Sequence, residues 1–166
     1  MSDDDRFMEL ALVEARAALA VGEFPVGCVL VAGGEVLARG RRCHSGAGHP
    51  NELDHAEMVA LRRLWETHPG PPAAGLTVYC TLEPCLMCHG ALLLSGVCRI
   101  VYGYEDVMGG GLNIDLRRLP PLYAGMRVEH AAGLRRADCK ALFREFFQKY
   151  DYWQGSLIAR HTLEGP

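Results

Sequence analysis

The chain has 166 residues, 49% of them hydrophobic, with no compositional break, which suits one domain over residues 1–166 with an ordinary buried core at about 4–152. A formal net charge of −3 excludes a global basic footprint, so any contact with nucleic acid has to come from a local patch. Seven cysteines, an odd set scattered through apparent core segments, exclude a disulfide framework. No basic-then-apolar leader opens the chain and no apolar run reaches the roughly 18 residues that span a bilayer, so the expectation is a cytoplasmic protein with no membrane contact.

Asp3, Asp4 and Asp5 precede an apolar-periodic run through Phe7, Leu10, Ala11, Ala15, Ala18 and Leu19, closed by Gly22, and this predicts a helix over 4–21. Two β-rich runs, 26–32 and 35–40, flank Gly33-Gly34, a pair able to take the positive φ angles of a two-residue hairpin. Residues 41–54 form a polar loop containing Arg41, Arg42, His44, His49 and Asn51, and neither histidine has a defined spacing to the motif described below. Met58, Val59, Leu61, Leu64 and Trp65 recur at helical spacing and predict a helix over 55–67 whose apolar face packs on a sheet. A Pro- and Gly-rich stretch, 69–74, is a surface connection.

Residues 76–82 read as a buried strand, and Pro84 suits the first turn of the helix that follows. The run 98–104 predicts a fourth strand, parallel to its predecessor across a helical crossover, with Cys98 as a small core residue. Residues 105–121 are irregular: Gly109-Gly110-Gly111 signals a flexible or tight turn, and Glu105-Asp106 by spacing alone reads as a cap. A short fifth strand is expected at 127–131. A helix at 135–152 should bury Leu142, Phe143, Phe146, Phe147 and Tyr150 and expose Arg135, Arg136, Lys140 and Arg144. The tail, 153–166, takes no assignment.

The chemistry concentrates in His55-Ala56-Glu57 and Pro84-Cys85-Leu86-Met87-Cys88. Two cysteines spaced C-x-x-C at a helix start can turn both sulfurs to one point, and the partial positive charge there favours thiolate. His55 supplies a third ligand from another helix. Structural zinc sites are usually closed by four protein ligands, whereas catalytic ones keep three and leave a position for water, whose pKa falls to about 7. Glu57, two residues past His55, can then carry protons without binding the metal. A thioredoxin-like pair needs no upstream His-x-Glu, and a zinc ribbon needs a second C-x-x-C that this chain lacks.

The arrangement H-x-E…P-C-x-x-C is the signature of zinc nucleobase deaminases. Glu23-Phe24-Pro25-Val26-Gly27, Thr81-Leu82-Glu83-Pro84-Cys85 and Arg99-Ile100-Val101-Tyr102-Gly103 resemble segments of the bacterial tRNA adenosine deaminases, in the same order, over about residues 7–150. The resemblance implies an α/β fold of the cytidine deaminase type, a three-layer α/β/α sandwich on a five-stranded mixed sheet. It also implies zinc as cofactor, held by His55, Cys85 and Cys88, with Glu57 catalytic and Pro25, Ala56 and Asp106 on the substrate. The implied substrate is adenosine at the wobble position of tRNA, and the implied assembly is a homodimer. The last helix would lie near bound RNA. The alternatives are deamination of a free base, nucleoside or nucleotide and, from another class, a non-catalytic zinc protein.

One departure is localised. These deaminases usually carry Asn two residues after the glycine that ends the second strand, where its amide contacts the substrate. Here Gly40 is followed by Arg41 and Arg42, and the loop before His55 is about two residues longer. Either Arg42 lines the pocket, where it offers only donors and a fixed charge, or it points into solvent and Asn51 swings in to restore the amide.

Overall fold

The structure, a computed structural model, describes residues 2–46, 50–70, 72 and 74–165. His49 and part of the 69–74 connection lie outside the described residues. Helix α1, Asp3–Ala20, opens with a capping box in which the Ser2 hydroxyl accepts from Asp5 N while the Asp5 carboxylate accepts from Ser2 N. Strands β1, Gly27–Ala32, and β2, Glu35–Arg41, are joined by Gly33 and Gly34 at φ 58° and 82°. Two positive φ angles in succession define the tight turn whose twist matches a hairpin. Helix α2 spans Ala56–Thr67, β3 Leu76–Leu82, α3 Leu86–Leu94 and β4 Val97–Tyr104. A single 3-10 turn, Leu116–Arg118, and the short α4, Pro121–Ala124, lead to β5, Glu129–Ala132, and to α5, Arg136–Lys149.

The sheet order is β2-β1-β3-β4-β5, with β1 antiparallel to both neighbours and β3, β4 and β5 mutually parallel. Helices cover both faces: α1 and α5 pack together on one, α2 and α3 on the other. This is the expected three-layer sandwich on a mixed sheet. Two glycines set its thickness. Cys28 pairs with Gly40, so Gly27 and Gly40 face opposite sides of the sheet. A Cβ on Gly27 would come within 2.6 Å of Ala15 N in α1, and one on Gly40 within 2.6 Å of Ala60 N in α2. Both helices therefore lie with their backbones directly on the strands. The buried face of α2 is accordingly narrow, built on Ala56, Ala60, Leu61 and Leu64. Trp65, expected in it, is 38% exposed.

Four further expectations are corrected. Cys98 is exposed on β4, its thiol donating to Leu76 O at 3.3 Å, because the strand turns that position away from the core. Pro84 precedes the helix rather than opening its first turn, since Cys85 is the N-cap of α3. The last long helix ends at Lys149, after which Tyr150 turns extended. Its basic face is not a free solvated surface. Arg135 binds Glu9 and Asp138, Arg136 binds Glu105, and Lys140 and Arg144 donate to the carbonyls of Gly165 and Leu163. Those carbonyls belong to the end of the chain, where α6, Leu157–Glu164, buries Ile158, Ala159 and Thr162 against α5. Ser156 caps α6 by accepting from Ala159 N.

Candidate active site

Two helix starts meet at one point. His55 is the N-cap of α2 and Cys85 the N-cap of α3, both in extended backbone, and neither side chain makes a capping hydrogen bond. They turn instead toward each other and toward Cys88 in the first turn of α3. His55 Nδ1 stands 3.5 Å from Cys85 Sγ and 3.5 Å from Cys88 Sγ. Zinc bonds of about 2.3 Å to sulfur and 2.0–2.1 Å to nitrogen, set at a tetrahedral angle, leave nitrogen and sulfur roughly 3.6 Å apart. The trio therefore fits zinc. The other ring nitrogen of His55 faces Glu52 Oε2 at 3.9 Å, beyond hydrogen-bond length, and that oxygen accepts from Arg42.

The ionisation of the cluster follows from its contacts. The Cys88 thiol donates toward Cys85, which with His55 nearby overcomes burial and lowers the Cys85 pKa to about 4. Cys88 is correspondingly held far above the usual thiol range, with burial adding to the effect. His55 is raised because Cys85 accepts its hydrogen bond. Glu57 is 3% exposed, and burial raises its pKa above the ordinary carboxylate value. Its Oε2 lies 3.5 Å from Cys88 Sγ, so the carboxylate borders the donor trio.

A pocket opens over this point, lined by His55, Ala56, Glu57 and Cys85, by the apolar Phe24, Val26 and Leu82, and by Glu83 and Asp106. Arg42, Glu52, Tyr152 and Trp153 complete the lining. Pro25, expected on the wall, is not among the lining residues: it sits at the centre of a tight turn closed by Val26 N donating to Phe24 O at 2.8 Å, and its neighbours Phe24 and Val26 line the cavity. Asp106 lines the pocket and also holds a turn, its Oδ1 accepting from Met108 N and Gly109 N at 3.0 and 2.9 Å. The glycine triplet that follows is clamped. Gly111 N donates to Pro84 O at 2.9 Å, and a Cβ on Gly110 or Gly111 would strike Glu83 or the start of α3. Glu83, buried, accepts from Asp106 N and Leu112 N, which ties this loop to the strand end beside the cysteines.

Arg42 is 4% exposed and lines the pocket, donating to Asn51 O at 3.2 Å and to Glu52 Oε2 at 3.0 Å. The Asn51 amide does not enter. Its Nδ2 donates to Asp54 and its Oδ1 accepts from Leu53 N, so it is spent within the loop. A second group of donors, Cys43, His44 and Asp54, stands nearby. There Arg62, His44 and Asn51 already engage the Asp54 carboxylate, so a cation is in place without a metal. Sequence reasoning missed Glu52, Phe24, Val26, Tyr152 and Trp153 as lining residues. Glu83 had a signal, standing directly before Pro84-Cys85, whereas Tyr152 and Trp153 had none.

Residues 1–104 match the cytidine and deoxycytidylate deaminase zinc-binding region, and the chain belongs to this family of hydrolytic deaminases. It is 33% identical over 166 residues to a tRNA-specific adenosine deaminase of Streptococcus pyogenes serotype M1, covering 99% of this chain and 94% of that one. It is 39% identical over 146 residues to a tRNA(Ile)-lysidine synthase of Thermus thermophilus, covering 88% of this chain but only 25% of the longer protein. Among solved structures, it superposes with a TM-score of 0.70 on one from studies of A-to-I editing by tRNA:A34 deaminases at the wobble position of transfer RNA. That pair is 33% identical and covers 82% of this chain and 98% of the other.

Proposed function

We propose that the chain converts adenosine to inosine at the wobble position of tRNA, with one zinc per chain held by His55, Cys85 and Cys88 and with Glu57 as the proton carrier. The observation that carries this reading is the buried Glu57 carboxylate bordering, but not joining, a cluster of three donors whose spacing suits an open tetrahedral site. A purely structural zinc needs neither the open position nor the adjacent carboxylate. The tRNA half of the reading is supported by the full-length relative and by the wobble-position deaminase of the same fold.

Zinc in this trio supplies Lewis-acid activation of water at neutral pH. Glu57 would take one proton from the attacking water as the C–O bond forms and pass it to the ring nitrogen, then take the remaining hydroxyl proton as the C–N bond breaks and pass it to the departing ammonia. Adenosine and water thus become inosine and ammonia. The Ala56 N–H, in the first turn of α2, has no partner within the helix and is free to hold the base. Arg42 and Asp106 contact the substrate from the lining, and Pro25 fixes the backbone that presents Phe24 and Val26. The enzyme works in the cytoplasm as a homodimer, closed two-fold assemblies being the commonest oligomers.

One observation favours a second substrate class. The position that offers a neutral amide in the resembled deaminases here carries a buried guanidinium paired with Glu52, a charged donor set suited to a free base or nucleotide rich in acceptors. Ammonia release from tRNA, adenosine, guanine, cytosine and their nucleotides, with wild type and Arg42→Asn, separates the two. Wild-type turnover of tRNA is expected. Turnover confined to small molecules, with Arg42→Asn shifting the preference among them, overturns the tRNA reading.

A further inference from the structure

Beyond the end of α5 the chain doubles back to the pocket and places two aromatic rings on its lining. Tyr152 and Trp153 are stacked, with ring centroids 5.0 Å apart and planes 13° from parallel. Phe24 flanks both, at 6.1 and 5.7 Å. The stack is anchored to the loop before α2, because the Tyr152 hydroxyl donates to Glu52 at 3.4 Å and Glu52 in turn holds Arg42 and faces His55.

Trp153 is held in an unusual state. Its φ is +55°, a left-handed conformation that bulky L-residues rarely adopt and that persists only where surrounding structure enforces it. The conformation belongs to the turn that Gln154 N closes on Asp151 O at 3.2 Å, and it leaves Trp153 40% exposed while lining the pocket. An indole kept partly open, fixed against a second ring, beside a site for nucleobase chemistry is suited to accept a further planar ring by offset stacking.

We propose that Trp153, backed by Tyr152, is a nucleobase-stacking site at this pocket. The inference rests on the deaminase reading and deepens it, giving the substrate a hold on the C-terminal segment in addition to the start of α2. The stacked ring is either the base that reacts or its neighbour in an RNA loop, and both bind by the same chemistry.

The chain has two tryptophans, so Trp65→Phe leaves Trp153 as the sole indole reporter. Zinc-loaded Trp65→Phe/Glu57→Gln protein is titrated with a short RNA stem-loop bearing one loop adenosine, and separately with free adenosine. The expected result is quenching of Trp153 emission. In steady-state assays in the Glu57 background, Trp153→Phe is expected within a few-fold of wild type, whereas Trp153→Leu and Trp153→Ala raise KM about tenfold or more with kcat little changed. Loss with the stem-loop alone assigns the ring to a neighbouring base, and loss with both probes assigns it to the reacting base. Unquenched emission together with a wild-type KM in Trp153→Leu overturns the proposal, since leucine fills space without stacking. If wild type ignores both probes but deaminates guanine or cytosine, the tRNA reading fails on its own, and the same titration with that base still decides the role of Trp153.

Discussion

The Glu57 carboxylate and the Cys88 sulfur lie 3.5 Å apart, both buried, on helices that start at opposite sides of the same point. A carboxylate so placed is screened from bulk solvent, so the protons it exchanges are those of groups and water inside the pocket. Glu57→Gln keeps the shape and removes the proton carrier. We expect it to retain zinc and fold while losing turnover by ~10²-fold or more. Ammonia release and metal analysis on the same preparation check this, and a wild-type rate would remove Glu57 from the mechanism.

Cys88→Ser is expected to lower zinc well below one per chain and to abolish activity, because two remaining donors do not hold the ion against solvent. Cys98→Ser is the control, being exposed on β4 away from the trio. Equal zinc in the Cys88 variant, the Cys98 variant and the parent would sink the assignment of the ligand set.

Gly40→Ala tests the seam between β2 and α2. Its Cβ would meet the backbone at Ala56 O and Ala60 N, neither of which can step aside as a side-chain end can. The helix must shift, and it carries His55 and Glu57 with it. Overpacking of this kind costs ~1–3 kcal/mol, and each kcal/mol corresponds to about 2–4 °C of melting temperature in a chain of this size. Turnover should fall about tenfold or more, since a displaced catalytic group loses its alignment. Gly46→Ala, with nothing within 4 Å of the added carbon, should change neither. Calorimetry and kinetics on the pair would refute the seam if the two variants behaved alike.

Glu105 joins β4 to the C-terminal helices, accepting from Arg136 and from His161. The Arg136 guanidinium, opposed by partial burial and helped by His161, lowers the Glu105 pKa to about 2 from an ordinary 4.5. A carboxylate depressed in the folded state contributes stability that is complete above its unfolded pKa and is lost as pH falls through its folded one. The Glu105 contribution is therefore full above about pH 4.5 and disappears toward pH 2. The pair is partly solvent-exposed, so its worth after screening is about 1 kcal/mol. Glu105→Gln should melt about 2–4 °C lower than wild type at neutral pH, with the gap closing as the pH drops below 4.5. A gap independent of pH would show that charge is not what Glu105 contributes.

Local patterns made much of the fold legible. The alternation and turn residues around Gly33-Gly34 and the apolar run 76–82 give β1, β2 and β3 almost to the residue. The donor trio was legible because its members lie in two short motifs, each set by one helix start. What lay beyond reach depended on the path of the chain. Tyr152 and Trp153 line the pocket because the segment after α5 turns back, which no local pattern encodes. Lys140 and Arg144 look like part of a solvated stripe until the α6 segment supplies the carbonyls they bind. Whether Arg42 points inward was undecided by its type, and it is Glu52, ten residues on, that keeps it there.

His55 and Cys85 occupy the positions where a helix ordinarily receives its capping side chain, and neither caps. A serine, threonine or aspartate in either place would add ~1 kcal/mol to its helix, so α2 and α3 each begin weaker than their sequences could make them. With zinc in the trio, those two loose beginnings become one cross-link between segments thirty residues apart. Loading such a site would be a single event for this face of the molecule: the ion that would equip it for chemistry would also fasten its two helices. Before the ion arrives, what joins the two helix starts at this point is the contact of His55 with Cys85 and Cys88.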